Sequence, residues 1–269
     1  MSNKPVLNAD WPFYLSLALL GGVYVILIVA MLSADLFFTT PDNFLEALAS
    51  EEIQYSIKLS LISCSITAIL SLWVAVPLGY LLARTDFWGK SVVDTLLDIP
   101  IVLPPLVIGL SLLILFQTPI GRFFEQNVMR VTHHIPSVVL AQFSVAAAFA
   151  VRTMRITFEQ ISPRAEQVAM TLGCTRAQAF WYVVMPEARR GLLTAFTLSW
   201  ARSLGEFGPI LIFSGATRLR TEVLPTTVFL ELGVGKLEAA IAVSLLMIVV
   251  AVVVLTITRT LGLRGSGIV

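Results

Sequence analysis

Long stretches of apolar residues constrain the fold of this chain more than any other feature of its sequence. About 20 apolar residues in an α-helix are needed to cross the roughly 30 Å hydrocarbon core of a bilayer. Six stretches approach or exceed that length, and they cover residues 13–33, 59–83, 92–117, 135–151, 192–214 and 237–258. The sequence therefore predicts an all-α membrane protein with six transmembrane helices.

The composition argues against several other classes of protein. Of the 269 residues, 57% are hydrophobic and 13% are charged, whereas soluble domains average about 45–50% and about 25%. The formal net charge of +1 creates no large field that would attract a polyanion. A typical soluble enzyme, a disordered chain and a nucleic-acid-binding protein are therefore not expected.

The distribution of Lys and Arg predicts the orientation of the spans. Most of these residues fall at one set of span ends, which includes both termini, and an excess of this kind marks the cytoplasmic side. We therefore expect a multi-pass protein with both termini in the cytoplasm. The apolar core of the first stretch is longer than the about 7–15 residues of a signal peptide, so we expect it to be retained as a helix.

The polar connection between the fourth and fifth stretches, residues 152–191, begins with the signals of a short helix. Ser162 is a favourable N-cap, and Pro163 suits the first helical position, where its missing N–H costs nothing. Gly173 suits the left-handed residue that closes a helix. Between them, apolar side chains recur at the spacing of one helical face, namely Ala165, Val168, Ala169 and Leu172.

A second short helix is predicted directly afterwards. Thr175 and Gln178 have the spacing of a capping box. An apolar and aromatic run follows over residues 179–185, and Pro186 is expected to end the helix. Such a hairpin would either rest on the bilayer surface and against the chain's own spans, or serve as a docking element for a cytoplasmic partner.

Residues 166–186 resemble the cytoplasmic signature of ATP-binding-cassette importer permeases. That signature has a Glu-Ala-Ala start, a Gly, nine further residues and an Ile-x-Leu-Pro ending, and the spacing from Gly173 to Pro186 fits it without a gap. Gln167 stands where the signature usually has Glu, and Glu166 lies one place earlier.

This resemblance implies that the hairpin sits in a cleft of a cytoplasmic ATPase subunit. ATP-driven closure of two ATPases would then reach the spans as rigid-body motion. The chain would be a transport subunit with no catalytic residue and no cofactor of its own, since the partner ATPases would bind ATP and Mg²⁺. In agreement, the sequence contains no Gly-x-x-x-x-Gly-Lys-Ser/Thr phosphate loop. The residues implied in coupling are Glu166, Gln167, Ala169, Leu172, Gly173 and Pro186.

Two further segments resemble the permeases of one substrate class. Residues 84–112, which contain the run Leu-Pro-Pro-Leu-Val at 103–107, resemble the third-span region of molybdate-type permeases. Residues 201–208 resemble the fifth-span motif shared by molybdate, tungstate and sulfate permeases. The resemblance covers about residues 55–260 and implies the fold of type I importers. The chain then divides into an N-terminal helix and external loop (1–54), a permease domain (55–262) with its coupling loop (158–190), and a cytoplasmic tail (263–269).

The third stretch contains three prolines, Pro100, Pro104 and Pro105, within six residues. They free backbone carbonyl groups, which need new partners or a watered cavity inside a membrane. They predict either a kinked helix packed against its neighbours or a broken helix that borders the translocation path.

The fifth stretch carries Arg202 and Glu206 at a spacing that permits an ion pair. Because each buried charge costs about 2.5–3.5 kcal/mol on insertion scales, the pair either fastens one span to another or lines the pathway or its outer gate. Gly205 and Gly208 permit close approach to another span or to a second copy. The candidates for the pathway or gate are Pro104, Pro105, Arg202, Gly205, Glu206 and Gly208.

Two other groups of polar residues have no predicted catalytic role. His133 and His134 are neighbours without a Cys, Asp or Glu at ligand spacing, so no metal site is predicted. Asp94 and Asp98 share one helical face near the cytoplasmic end of their span. For these two aspartates we favour solvated helix capping and contacts with a partner protein over a role in a proton relay.

The resemblance implies a homodimer in the cytoplasmic membrane of a bacterium or archaeon. Two ATP-binding subunits would bind on the inside and an oxyanion-binding protein on the outside. We expect molybdate or tungstate as the substrate, in preference to sulfate, on the basis of residues 103–107 alone; sulfate or another small solute is the alternative. An ion-coupled carrier is a hypothesis of another class, but it predicts an inverted internal repeat that the sequence lacks.

Overall fold

The computed structural model describes residues 11–38 and 40–264, and within them every regular element is helical. The predicted all-α class is therefore confirmed for these residues. The helices are α1 (Trp11–Phe38), α2 (Pro41–Ala49), α3 (Glu51–Arg84), α4 (Lys90–Val102), α5 (Pro105–Gln117), α6 (Pro119–Asn127), α7 (Ile135–Gln160), α8 (Pro163–Thr171), α9 (Arg176–Ala179), α10 (Met185–Glu187), α11 (Arg189–Leu204), α12 (Leu224–Gly233) and α13 (Leu237–Arg264), with π-helical segments at Phe180–Val184 and Ile210–Ser214.

Four of the described helices are long and apolar enough to cross a bilayer, namely α1, α3, α7 and α13. The pair α4 and α5 passes the same test, although the two helices are bent by 113° at the break between them. The stretch 192–214 is divided between the 16-residue α11 and a five-residue π-helical segment. The six-helix count and the cytoplasmic location of both termini therefore stay predictions. The two ends of the chain, including most of the predicted tail, lie outside the described residues.

The central helix of the bundle is α3, which packs along α7 and α11. Its start is capped by Ser50, whose hydroxyl accepts a hydrogen bond from the Ile53 amide at 3.3 Å. Small residues cover much of its buried face, and such residues let helices approach closely in a bilayer. A Cβ added to Gly79 would lie 2.9 Å from the Arg155 amide nitrogen of α7. Small side chains therefore set the spacing of the bundle.

A buried amide links these three central helices. Gln142 of α7 is 1% exposed. Its Oε1 accepts a hydrogen bond from the Thr67 hydroxyl of α3 at 3.1 Å, and its Nε2 donates to the Ser203 carbonyl of α11 at 3.2 Å. Interhelical hydrogen bonds in membranes contribute about 0.6 kcal/mol on average. The amide therefore adds modest stability and holds the three helices in register.

α1 lies at the edge of this bundle. None of its 28 residues is buried, and its main contact is with α13. Its apolar surface is therefore available to lipid or to another chain.

The division expected at residue 54 falls inside α3, and Ala47 and Ile53 share one hydrophobic cluster with Trp200 of α11.

α7 is longer than the predicted span, because it continues past residue 151 and ends at Gln160. The first part of the expected polar connection is therefore helical. Its charges are paired with the neighbouring α4: Arg155 bonds to Asp94, and Arg152 lies 3.5 Å from Asp98. Both aspartates lie within α4 and act in contacts between helices, so the expectation that they serve as helix caps was wrong.

Candidate functional site

The third apolar stretch is broken rather than kinked. α4 ends at Val102, the next two residues, Leu103 and Pro104, are extended, and α5 begins at Pro105. Proline has no backbone N–H, and it disfavours helical geometry in the residue before it. The consecutive prolines therefore stop one helix and start the next, so the helix is broken as one of the two alternatives expected, and its place beside a translocation path stays a prediction.

A second break interrupts the fifth stretch. α11 ends at Leu204, and Gly205 donates its N–H to the Ala201 carbonyl at 3.3 Å. Helical structure resumes only after Phe207. The π-helical segment that follows ends at Gly215, whose φ of +71° favours glycine.

The two breaks lie against each other, and each presents a glycine to a proline of the other. A Cβ added to Gly208 would lie 2.9 Å from Pro105 Cβ, and a Cβ added to Gly109 would lie 2.7 Å from Pro209 Cα. Carbon atoms in contact prefer about 3.5–4.0 Å, so both positions require glycine. Gly109 was not among the predicted site residues, and its only signal is a glycine in an apolar helix. Gly205 makes no such approach to any other described residue, since the nearest atom to its added Cβ is 3.9 Å away.

Arg202 and Glu206 form the predicted ion pair, which joins the last turn of α11 to the second break. Arg202 Nη1 lies 2.6 Å from Glu206 Oε2, so the two charged groups are in direct contact. Glu206 is 1% exposed, and a buried charge without a partner would be strongly destabilising. The guanidinium also lies 5.8 Å from the ring centroid of Phe149 in α7. The pair therefore links the last turn of α11 to the break that follows it, and the guanidinium lies beside α7; whether it fastens spans together or lines the pathway stays a prediction.

The hairpin that the sequence predicts on the cytoplasmic side, residues 162–187, forms as its capping signals predict. The Ser162 hydroxyl accepts a hydrogen bond from the first turn of α8 at 3.4 Å, and Pro163 begins that helix. Gly173 follows α8 with a φ of +97°. The capping box of Thr175 and Gln178 is present at the start of α9.

Pro186 does not end the second helix, contrary to the sequence prediction. The chain passes from α9 through the π-helical segment Phe180–Val184 and α10 into α11. Met185 donates its N–H to the Phe180 carbonyl, five residues back. This wider turn makes room for the proline ring, which would clash with a carbonyl group in a regular α-helix.

The buried face of α8 also differs from the predicted one. Ala169 is buried, but Val168 and Leu172 are 57% and 81% exposed. Glu166 is buried instead, because Tyr80 and Arg84 of α3 bind its carboxylate. The sequence analysis did not predict a functional role for these two α3 residues. The only feature that could have indicated one is their position in the last turns of the second predicted span.

The hairpin exposes four large apolar side chains. We call them the docking residues, and they are Val168, Leu172, Trp181 and Tyr182. Gln167 and Gly173 are exposed beside them. Exposed apolar groups of this size mark contact with a partner or with a membrane, so both alternatives raised by the sequence are compatible with this surface.

A single helix connects the hairpin with the second break. α11 begins at Arg189, directly after the hairpin, and ends at Leu204. Near its start, a Cβ added to Gly191 would lie 2.2 Å from the Thr157 side chain of α7, so the two helices are pressed together. A movement of the hairpin can therefore reach the paired breaks through one rigid element.

Among the described residues, no group of three His, Cys, Asp or Glu side chains could hold a metal ion. His134 has one local and one long-range partner, with its Nδ1 2.8 Å from the Thr132 carbonyl and its Nε2 3.2 Å from Arg220 Nη2. Glu125 accepts hydrogen bonds from the amides of Val131 and Thr132. Burial would raise the pKa of Glu125, but these hydrogen bonds outweigh it and hold the pKa below its ordinary value.

Residues 75–264 match the family described as binding-protein-dependent transport system inner membrane component. The chain belongs to this family of ATP-binding-cassette importer permeases. It is a transport subunit, and ATP hydrolysis is carried out by separate ATPase subunits. The resemblance seen in the cytoplasmic signature is thereby confirmed.

Relatives of the permease carry the names of several oxyanions. The sulfate transport system permease protein CysT of Salmonella typhimurium is 31% identical over 75% of this chain and 74% of its own length. The molybdate/tungstate permease protein WtpB of Thermococcus kodakarensis is 33% identical over 77% of this chain and 79% of its own. A probable molybdenum ABC transporter permease protein of Haloferax volcanii is 31% identical over 91% of this chain and 88% of its own.

Solved structures resemble the permease over nearly its whole length. A chain in the crystal structure of a bacterial ABC transporter involved in the import of alginate has a TM-score of 0.75 and 18% identity, and the match covers 97% of the permease and 98% of that chain. A chain of the bacterial alginate ABC transporter in complex with an alginate pentasaccharide-bound periplasmic protein has a TM-score of 0.76 at 17% identity. At these identities the likeness shows the fold alone.

Proposed function

We propose that this permease forms, with a second copy of itself, the transmembrane pathway for a tetrahedral oxyanion, with molybdate or tungstate preferred. The observation that carries the proposal is the set of relatives at 31–33% identity, which are named for sulfate, molybdate/tungstate and molybdenum. Sulfate, molybdate and tungstate are tetrahedral dianions, so one pathway chemistry can serve all three.

Two observations favour molybdate or tungstate over sulfate. The Haloferax relative, named for molybdenum, matches 91% of the chain. In addition, the run at residues 103–107 that resembles molybdate-type permeases forms the first helix break. Sulfate is the alternative substrate, because the sulfate relative is 31% identical to the chain, as the Haloferax relative is.

The charges at the second break suit a pathway that must release its anion. The Arg202 side chain is 29% exposed and that of Glu206 is 1% exposed. An arriving dianion would therefore meet the guanidinium first. The carboxylate behind it offsets much of the positive charge, so the site would attract an anion without holding it tightly.

The proposed assembly has six transmembrane helices per copy, both termini in the cytoplasm of a bacterium or archaeon, and a two-fold axis at the pathway. The exposed side of the first break supports a second copy, because Val102, Pro104 and Pro105 are left uncovered there. Two ATPase subunits would contact the docking residues, and an oxyanion-binding protein would deliver substrate from outside.

The test is uptake of labelled molybdate by cells that express the permease with the ATPase and binding protein encoded beside it. Uptake is measured with and without an energy poison that lowers ATP but spares the proton gradient, and with sulfate as competitor. We expect uptake that requires ATP and persists in excess sulfate.

Other outcomes would change specific parts of the proposal. Uptake that requires ATP but is lost to sulfate would retain the importer and change its substrate. Uptake that follows the proton gradient would refute the importer and favour an ion-coupled carrier.

A further inference from the structure

We infer that Arg84 and Tyr80 transmit the movement of the hairpin to the bundle by holding Glu166, so that Glu166 acts inside this chain rather than on the ATPase. This inference rests on the proposed docking of an ATPase to the hairpin. It assigns positioning roles to two α3 residues that lie outside the cytoplasmic signature.

Both carboxylate oxygens of Glu166 are already bound by α3. Arg84 Nε donates to Oε1 at 2.8 Å, and the Tyr80 hydroxyl donates to Oε2 at 2.8 Å. Arg84 Nη2 also donates to the Ile161 carbonyl at the end of α7, at 2.8 Å. One guanidinium therefore joins the central helix α3 to both α7 and α8.

This ion pair is shielded from water, since the side chains of Arg84 and Glu166 are 11% and 10% exposed. Buried pairs are screened by salt much less than exposed ones. Glu166 is thus not available to a partner's cation, whereas the docking residues of the same hairpin are exposed. The hairpin therefore has an inner attachment and an outer docking surface.

Because of the way α8 packs, the binding of Glu166 by Tyr80 and Arg84 is the main polar link through which a movement of α8 reaches α3. α8 packs chiefly against α9 and the π-helical segment Phe180–Val184, which are parts of the same hairpin. The Tyr80 ring contacts the second half of the hairpin as well, with its centroid 4.8 Å from that of Phe180 and 5.6 Å from that of Phe158 in α7. A push on either half of the hairpin therefore reaches α3 through Tyr80 and Arg84.

A buried ion pair is a weak source of net stability compared with apolar contacts, but it imposes a defined geometry. A link that transmits movement needs that geometry. We therefore expect its loss to separate ATP hydrolysis from transport, even where the complex still assembles.

The experiment compares Arg84→Gln, Glu166→Gln and Tyr80→Phe with the wild type in liposomes that contain the permease, its ATPase and its binding protein. Asp86→Asn is the matched control, because Asp86 forms an exposed ion pair with Lys90, at 2.9 Å, close to the same end of α3. Three quantities are measured for each variant: the ATPase that copurifies, the hydrolysis rate, and the oxyanion transported per ATP hydrolysed.

We expect the three variants to copurify with ATPase as the wild type does, and to transport at least tenfold less oxyanion per ATP. The double variant Arg84→Gln/Glu166→Gln should lose no more than Arg84→Gln alone, because both substitutions remove one link. Asp86→Asn should match the wild type.

An unchanged transport-to-hydrolysis ratio in Glu166→Gln and Tyr80→Phe would overturn the inference. Tyr80→Phe keeps the ring contacts, so it carries the test even if Arg84→Gln fails to insert. Loss of copurified ATPase in Glu166→Gln would also overturn it, because Glu166 would then belong to the docking surface. If the wild-type permease itself binds no ATPase, the proposed function fails, which is a distinct result.

Discussion

Replacement of Gly109 by alanine tests whether the two helix breaks must touch for the permease to work. An added Cβ at this position in α5 would lie 2.7 Å from the Cα of Pro209 and 2.9 Å from its carbonyl oxygen. Both are backbone atoms, so no change of side-chain rotamer can relieve the overlap. The two breaks would have to move apart.

The size of the effect follows from these distances. Because carbon atoms in contact are about 3.5–4.0 Å apart, the segments must separate by about 0.8 Å from the 2.7 Å approach. Overpacking of this kind costs about 1–3 kcal/mol. An energy of that size changes an equilibrium by about 5- to 150-fold, which is enough to disturb any two-state movement that passes through the paired breaks.

The assay combines thermal unfolding of the purified permease with oxyanion uptake in liposomes. We expect Gly109→Ala to lower both the unfolding midpoint and uptake, and Gly208→Ala to act in the same direction, since its Cβ would lie 2.9 Å from Pro105 Cβ. Gly233→Ala in α12 is the control, because nothing lies within 4 Å of its added Cβ. If Gly109→Ala and Gly233→Ala were equally stable and active, the reasoning about the paired breaks would be refuted.

Three further predictions concern other parts of the chain. Gly173→Val should reduce ATPase copurification and uptake without reducing membrane insertion, because left-handed backbone costs a non-glycine residue about 1–2 kcal/mol. Gly89→Val is the control: Gly89 has a φ of +88° but lies outside the hairpin, so ATPase copurification should be unchanged. Gln142→Leu should lower the unfolding free energy by about 0.5–2 kcal/mol, measured by denaturation in detergent, and an unchanged value would contradict the role of the amide in holding α3, α7 and α11. Glu125, whose pKa is lowered by its hydrogen bonds, should stabilise its loop at pH values above about 4 and lose that effect as the pH falls through its folded pKa. The stability difference between wild type and Glu125→Gln should therefore be larger at pH 7 than at pH 3, and a difference independent of pH would contradict this assignment.

Local signals predicted the cytoplasmic hairpin well, but not the face that it buries. Caps at Ser162 and Thr175 and the turn at Gly173 depend on neighbours in sequence, so their residues suffice to predict them. The burial of Glu166 depends on Tyr80 and Arg84, which are more than 80 residues away in the chain. Leu172, which periodicity alone would bury, is exposed.

In the spans, too, some effects of proline and of charged residues could be predicted from neighbours in sequence and others could not. The break at Pro104 and Pro105 could be predicted as one of two alternatives, because proline acts on its own residue and the one before it. At Pro186 the same local rule failed, since a π-helical turn accommodated the ring. Arg152 was expected to follow the end of a span, but α7 continues past it to Gln160, and the charge of Arg152 lies 3.5 Å from Asp98 of α4.

Local features of the sequence were enough to predict a helical chain that is apolar enough for a membrane, and the short signature at residues 166–186 was enough to indicate its family. These properties depend on composition, hydrophobic periodicity and short motifs, each of which acts over a few residues. In contrast, the packing of the two helix breaks through Gly109 and Gly208, and the binding of Glu166 by α3, became visible only in the folded chain. The reason is physical: close backbone approach and buried ion pairs depend on how distant helices cross, and no local pattern of residues specifies a crossing.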